Sequence, residues 1–242
     1  MGVLDFIKPK SALEKASKNL REPYAQPDVR QTAMDKLFEI GTEEAYANLL
    51  ERFSFNANGH TADEAEKRML VERLRDAGEP ARPALENYIA TKKTITYPIE
   101  ALRGMVAAPA AKDFLKSVLA KYEPSDHRST QAKATLVVTL GEMLDRSEAD
   151  VLVPYLNDHS DDVQFQTIAA LEHLGNADVA PALAEVCTSD EHAPRIQRRA
   201  TTALANMEGS VRGKFENFTS ELKDEYMIDK KGRLQRKTGA AS

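Results

Sequence analysis

One column of apolar residues recurs along the chain at nearly constant spacing. Leu37, Leu74, Leu102, Val137, Leu171 and Leu204 are separated by 37, 28, 35, 34 and 33 residues. Three residues after each comes a second core candidate: Ile40, Ala77, Met105, Leu140, Leu174 and Met207. Gly41, Gly78, Gly141 and Gly175 follow directly in four of the six units, where a left-handed residue ends a helix at no steric cost. Asp162 to Leu183 shows the unit most clearly: a helix, a turn at Gly175-Asn176, then the start of a second helix. Neither helix buries its apolar stripe alone, so each unit needs neighbours, and repetition supplies them. The interval of 28 marks the third unit as irregular.

The first helices carry their own mark. Pro-x-Leu recurs at Pro83, Pro154 and Pro181, and proline in a first turn loses no intrahelical hydrogen bond. Acidic turns at Asp28, Asp161-Asp162 and Asp190-Glu191 lead into the second helices, where carboxylates cap free N–H groups. The expected helix pairs are 10–21 with 28–40, 42–55 with 62–77, and 79–92 with 95–107. They continue as 109–122 with 128–144, 147–157 with 161–174, and 177–188 with 193–207. A closing helix is expected over 210–225, and Ser54 to Thr61 reads as a polar, mobile loop.

Composition narrows the class. Apolar residues make up 42% and charged residues 29%, a mixture that folds. Trp is absent, so Leu, Ala, Val and Ile must build the interior. The net charge of −5 does not favour nucleic acid or an acidic membrane as partner. The single cysteine, Cys187, excludes an internal disulfide and reads as a buried small hydrophobe in a reducing cytoplasm. The apolar patch of residues 1–9 is too short for a signal peptide or a membrane span. Val3, Leu4, Phe6 and Ile7 either cap the first helix pair or dock on a partner. The stretch 226–242 reads as a hairpin about Asp229-Lys230-Lys231-Gly232 with a basic tail, either a cap or an arm toward an acidic surface.

The second-helix motif carries a resemblance. Val29-Arg30-Gln31-Thr32-Ala33 runs on to Leu37 and Ile40-Gly41. Val163-Gln164 runs on to Ala170-Leu171-Glu172-His173-Leu174-Gly175, and Ile196-Gln197-Arg198-Arg199-Ala200 to Ala203-Leu204. Residues 10–208 resemble HEAT repeats of the bacterial, phycobilisome-lyase-like kind. The resemblance implies an all-α, right-handed α-solenoid of about six helix pairs over 10–225. That family includes scaffolds, adaptors, lyase subunits, DNA glycosylases and a metal-dependent hydroxylase, so it points to architecture rather than activity.

Motifs for chemistry are sparse. Gly209 to Lys214 is one residue short of a P-loop, and Phe215 stands where Ser or Thr would hold magnesium. No histidine pair has zinc-helix spacing, and Glu172-His173 reverses the His-Glu order that the hydroxylase family uses. No catalytic residue, metal or cofactor is assigned. Position in the repeat gives a different candidate. Taking 100° per residue, positions −8, −4, −1, 0 and +3 about each anchor face the core, and −2 and +2 face away. The outward positions read Asp35, Glu39, Glu72, Asp76, Glu100 and Gly104 in the first three units. In the last three they read Thr135, Thr139, Ala169, His173, Thr202 and Asn206. By the HEAT resemblance, second helices line a concave groove. Its N-terminal half is then acidic and its C-terminal half near neutral.

The resulting expectation is a cytoplasmic, non-enzymatic scaffold that takes a protein or peptide with a basic face, through Asp35, Glu39, Glu72, Asp76, Glu100 and His173. One rival is a nucleic-acid-binding or DNA-repair protein using the basic patch of Arg195, Arg198 and Arg199, which pairing with Asp190 and Glu191 would silence. Another is an accessory subunit of an enzyme. The oligomeric state is not set by the sequence.

Overall fold

A computed structural model describes residues 11–237. The N-terminal segment, with Val3, Leu4, Phe6 and Ile7, lies outside the described residues, as do residues 238–242 of the tail. The fold is all-α apart from one small hairpin. Twelve α-helices carry the described chain: α1 (Ala12–Leu20), α2 (Pro27–Ile40), α3 (Glu43–Leu50), α4 (His60–Ala77), α5 (Arg82–Thr91) and α6 (Thr96–Met105). They continue as α7 (Ala108–Leu119), α8 (Thr130–Met143), α9 (Asp161–Leu174), α10 (Ala180–Thr188), α11 (Pro194–Asn206) and α12 (Ser220–Glu225). The chain divides into two compact units, Met1–Ala111 and Lys112–Ser242, where a single helical domain over 10–225 was expected. The division falls within α7.

Within unit 1, α1 packs on α2 and α5 on α6. First helices also pack on first helices (α1 on α3, α3 on α5), and α4 packs on α6. Within unit 2, α8 packs on α9, α9 on α11, and α10 on α11. The apolar column is the reason. Leu37, Leu74, Leu102, Val137, Leu171 and Leu204 are all fully buried. Gly41 and Gly175 end α2 and α9 in the left-handed conformation, at φ 62° and 64°. Gly141 does not end a helix. It is buried inside α8, and a Cβ there would come within 2.6 Å of the Ala170 Cβ, so it serves close packing of α8 on α9.

Several local expectations are corrected. The first helix of the fifth unit is a 3-10 segment, Arg146–Asn157. Pro154 lies inside it, not in its first turn, and has no N–H for an α-helical bond. The segment starts instead from a capping box between Asp145 and Glu148. Asp161 and Asp162 do not cap α9; both hold Arg195. The closing helix is confined to Ser220–Glu225. Before it, Ser210 bridges to Arg233, and Val211 and Phe218 are buried. The hairpin about Asp229–Gly232 forms as expected, with Tyr226–Ile228 paired antiparallel to Leu234–Arg236. Its Tyr226 and Leu234 are buried and its second strand packs on α11, so residues 209–237 close the last helix pair.

The interior holds charges that hydropathy alone sends outside. In unit 1, Arg30, Arg52, Asp63, Glu66 and Lys67 are buried together. Arg30 Nε donates to Glu66 at 3.0 Å, and Arg52 donates to both Glu66 and Asp63. Lys67 Nζ lies 2.7 Å from Asp63 and donates to Asn56 at 2.7 Å. Burial alone would raise the Asp63 pKa, but Lys67, the Ala57 N–H and Arg52 outweigh it and hold the carboxyl at about 2. Within Ser54–Thr61, Arg52 donates to Phe55 O, Lys67 donates to Asn56, and the Ala57 N–H donates to Asp63, so the loop is anchored to the buried ions.

Unit 2 has a counterpart with fewer ions. Lys133 and Asp158 are buried with Nζ and Oδ2 2.5 Å apart, and Lys133 also donates to the carbonyls of Glu123 and Pro124. Gln164 donates to Asp158 O at 2.5 Å, and its amide oxygen meets His192 Nδ1 at 3.0 Å. Each network does the same job. It satisfies loop carbonyls and N–H groups that the helix pairs enclose, which would otherwise be buried without partners.

Candidate interaction face on the second helices

The outward positions of unit 1 do share one side of their helices. Asp35 on α2, Glu72 on α4 and Glu100 on α6 have side chains 57%, 64% and 44% exposed, while the anchors on the same helices are fully buried. Glu39 and Asp76, one turn further on, are exposed too. The α-helical period alone accounts for this, since −2 and +2 lie nearly opposite the anchor.

Cations are interleaved with these carboxylates. Arg73 donates to Asp35 at 2.6 Å, and its guanidinium lies 4.1 Å over the Phe38 ring. Lys36 pairs with Glu39 at 2.7 Å. Arg75 reaches in two directions: Nη1 pairs with Glu72 at 2.6 Å, and Nη2 donates to Glu100 O at 3.1 Å and sits 3.6 Å from its carboxylate. Gly104 makes room for this clamp, because a Cβ there would fall 2.4 Å from Arg75 Nε. Asp76 forms no ion pair among the described residues. Lys36, Arg73 and Arg75 thus engage four of the five carboxylates, and the face is not an unbroken acidic stripe. The sequence reading missed the cations because Lys36 and Arg73 occupy position −1, which it assigned to the core.

His173 lies on α9 in unit 2 and is exposed. The acidic five belong to unit 1, so each face stands by itself. On α9 and α8 of the same unit, Phe165 and Val138 are 40% and 41% exposed.

The basic patch is fully engaged. Arg195 pairs with Asp161 at 3.0 Å and Asp162 at 3.5 Å. Arg198 pairs with Glu225 and lies 3.6 Å from Glu221. Arg199 pairs with Glu172 and covers the Phe165 ring at 5.5 Å. Asp190 and Glu191, the expected partners, are not used. Ions from neighbouring elements, 23 to 34 residues away, take their place.

Other candidates resolve as structure. Cys187 is buried, and burial pushes its thiol up to about 12 against a hydrogen bond from Thr201, so it is not a nucleophile at neutral pH. Among the described residues no group of three or more His, Cys, Asp or Glu is placed to hold a metal ion. No helix among them is long and apolar enough to cross a membrane.

No curated protein and no solved structure matches the chain. A family model described as HEAT repeats matches residues 125–205, the stretch from the loop before α8 to the end of α11. In that stretch, where helix pairs stack through a buried column of Val137, Leu171 and Leu204, the chain is similar to HEAT repeats.

Proposed function

We propose that the protein is a non-catalytic scaffold whose second helices take a partner protein, with α2, α4 and α6 binding a basic segment. The observation that carries this reading is the row Asp35, Glu39, Glu72, Asp76 and Glu100 on three second helices of unit 1. Its ion pairs are largely exposed, and such pairs contribute only about 0–1 kcal/mol each. A partner's Lys or Arg can therefore replace Lys36, Arg73 or Arg75 at little cost. Encounter is steered by the row's carboxylates, and affinity comes from the contact area behind them.

HEAT repeats generally mediate protein interactions and scaffolding, which supports the class of role. The Val29-Arg30 and Ile196-Gln197 motifs support extending that resemblance over the rest of the helical region, as repeats of the phycobilisome-lyase-like kind. A reducing, cytoplasmic setting accords with one buried thiol. The nucleic-acid reading is weaker, because Arg195, Arg198 and Arg199 already have carboxylate partners. A role as an accessory subunit of an enzyme uses the same face and is a special case of the scaffold.

The test is binding of a Lys/Arg-rich peptide, followed by fluorescence anisotropy at low and physiological salt. Glu72→Lys with Glu100→Lys should abolish binding while the far-ultraviolet circular dichroism stays unchanged. Binding that survives this pair excludes the acidic row as the site. Tight, steeply salt-dependent binding of duplex DNA in a parallel titration would favour the rival.

A further inference from the structure

One position on the acidic face of unit 1 offers more than charge. Arg73 of α4 places its guanidinium carbon 4.1 Å from the centroid of the Phe38 ring and donates from Nη1 to Asp35 Oδ1 at 2.6 Å. Asp35 and Phe38 stand three residues apart on α2, so they are neighbours on the helix surface and hold one cation between them. Both are braced. Tyr46 of α3 meets the Phe38 ring edge-on, with centroids 6.1 Å apart and planes at 74°, and Gln31 donates to Asp35 Oδ1 at 2.9 Å. Gln31 and Arg73 both use Oδ1; among the described residues Oδ2 accepts no hydrogen bond. Lys36 and Arg75, the other cations of the face, pair with carboxylates and lie over no ring among the described residues.

We propose that Phe38 and Asp35 form a subsite selective for arginine over lysine, in which an arginine of the partner takes the place of Arg73. This rests on the reading of α2, α4 and α6 as the binding face. A guanidinium is planar and weakly hydrated, so it lies on a ring while its N–H groups still reach a carboxylate at the ring's edge. An ammonium is compact and strongly hydrated, and it gives up more water to occupy the same place. A carboxylate without a ring, such as Glu39 or Glu72, makes little distinction between the two. Exchange costs little, because the incoming arginine makes the contacts that Arg73 gives up, and the partly exposed Arg73 side chain moves into water. The gain lies at Asp35 Oδ2: an arginine approaching from outside meets both carboxylate oxygens, where Arg73 reaches one.

Two fluorescent peptides of equal length and charge, one with arginine and one with lysine at every basic position, test this by anisotropy on the full chain at physiological salt. The parent should bind the arginine peptide about fivefold more tightly. Phe38→Leu should bring the ratio of the two affinities close to one. Arg73→Ala, which vacates the subsite from a partly exposed position, should raise affinity for the arginine peptide more than for the lysine peptide. Should Phe38→Leu fail to fold, as circular dichroism would reveal, the Arg73→Ala ratio carries the test alone. Equal binding of both peptides by the parent overturns the subsite and leaves the acidic face standing. A preference that persists in Phe38→Leu puts the selectivity elsewhere and overturns it too, as does a ratio that falls in Arg73→Ala. Binding of neither peptide removes the acidic face itself, and the subsite with it.

Discussion

At the position one residue before the buried anchor, α2 and α4 carry Lys36 and Arg73, whereas α8, α9 and α11 carry Leu136, Ala170 and Ala203. Leu136 and Ala203 are fully buried and Ala170 nearly so. Unit 2 thus uses that position for packing, and Gly141 against Ala170 shows how close two of its helices come. Unit 1 uses it for ion pairs across the exposed face on α2 and α4, and for packing only on α6, where Ala101 is fully buried. The same contrast holds inside. Unit 1 ties its loop with five buried ions, while unit 2 relies on one Lys–Asp pair extended through Gln164 to a neutral His192. One scaffold geometry therefore accepts two polar solutions, and each makes its unit vulnerable to a different perturbation.

The largest effect should come from breaking the ionic core of unit 1. Arg52→Met leaves Asp63 and Glu66 buried with less compensation, and removing one member of a buried pair costs roughly 3–5 kcal/mol. Hydrogen exchange should show protection lost in α3 and α4 but kept in α8 to α11. A uniform loss through the chain would mean that the two units do not unfold separately.

A smaller effect is expected from Gly141→Ala. The added Cβ meets Ala170, partly through its backbone, and overpacking of this kind costs roughly 1–3 kcal/mol. Denaturant unfolding of unit 2 should shift by that amount. Gly104→Ala, on the face of unit 1, meets only the flexible Arg75 side chain, so stability should change little. The smallest change in stability belongs to Arg75→Gln, which frees Glu72 and Glu100 from exposed pairs worth at most about 1 kcal/mol. That variant should bind a Lys/Arg-rich peptide more tightly than the parent. Weaker binding would show that Arg75 itself contacts the partner.

Much of this architecture was legible beforehand, because one apolar column and 3.6-residue periodicity mark what each second helix must bury. All six anchors are fully buried. The polar interior was not legible, since hydropathy assigns Arg30, Arg52 and Lys133 to solvent. A signal was nevertheless present: seven residues before the anchor stand Arg30, Lys67, Thr130, Gln164 and Gln197 in five of the six units, with Ile95 in the irregular third. All five donate to carbonyls or polar side chains of the segment entering their own helix, as Gln197 does to Ser189 O at 2.8 Å. The partners of Arg195, Arg198 and Arg199 were missed for another reason. Asp190 and Glu191 are their neighbours in sequence, whereas α9 and α12 supply the carboxylates. The helical angle alone marks the candidate face; Lys36 and Arg73 stand at −1, a position that packs in unit 2, and Arg75 stands at +1, between the core and outward sets.

Acid separates the two solutions most directly. Burial lowers the His192 pKa from its ordinary value, against Glu191 and Asp161. Folding then favours the neutral ring, and that stability is present above the unfolded pKa of about 6.5 and lost as the pH falls below it. The Asp63 carboxyl, held at about 2, contributes stability above its unfolded pKa of about 3.9 and loses it only as the pH falls from there toward 2. Amide protection factors measured in one molecule at pH 7 and pH 4.5, corrected for intrinsic exchange, decide the matter. The expected result is lower protection in α9 to α11 at pH 4.5, with α3 and α4 unchanged and His192→Gln removing the difference. Protection lost first in α3 and α4, or equally in both units, would contradict the account.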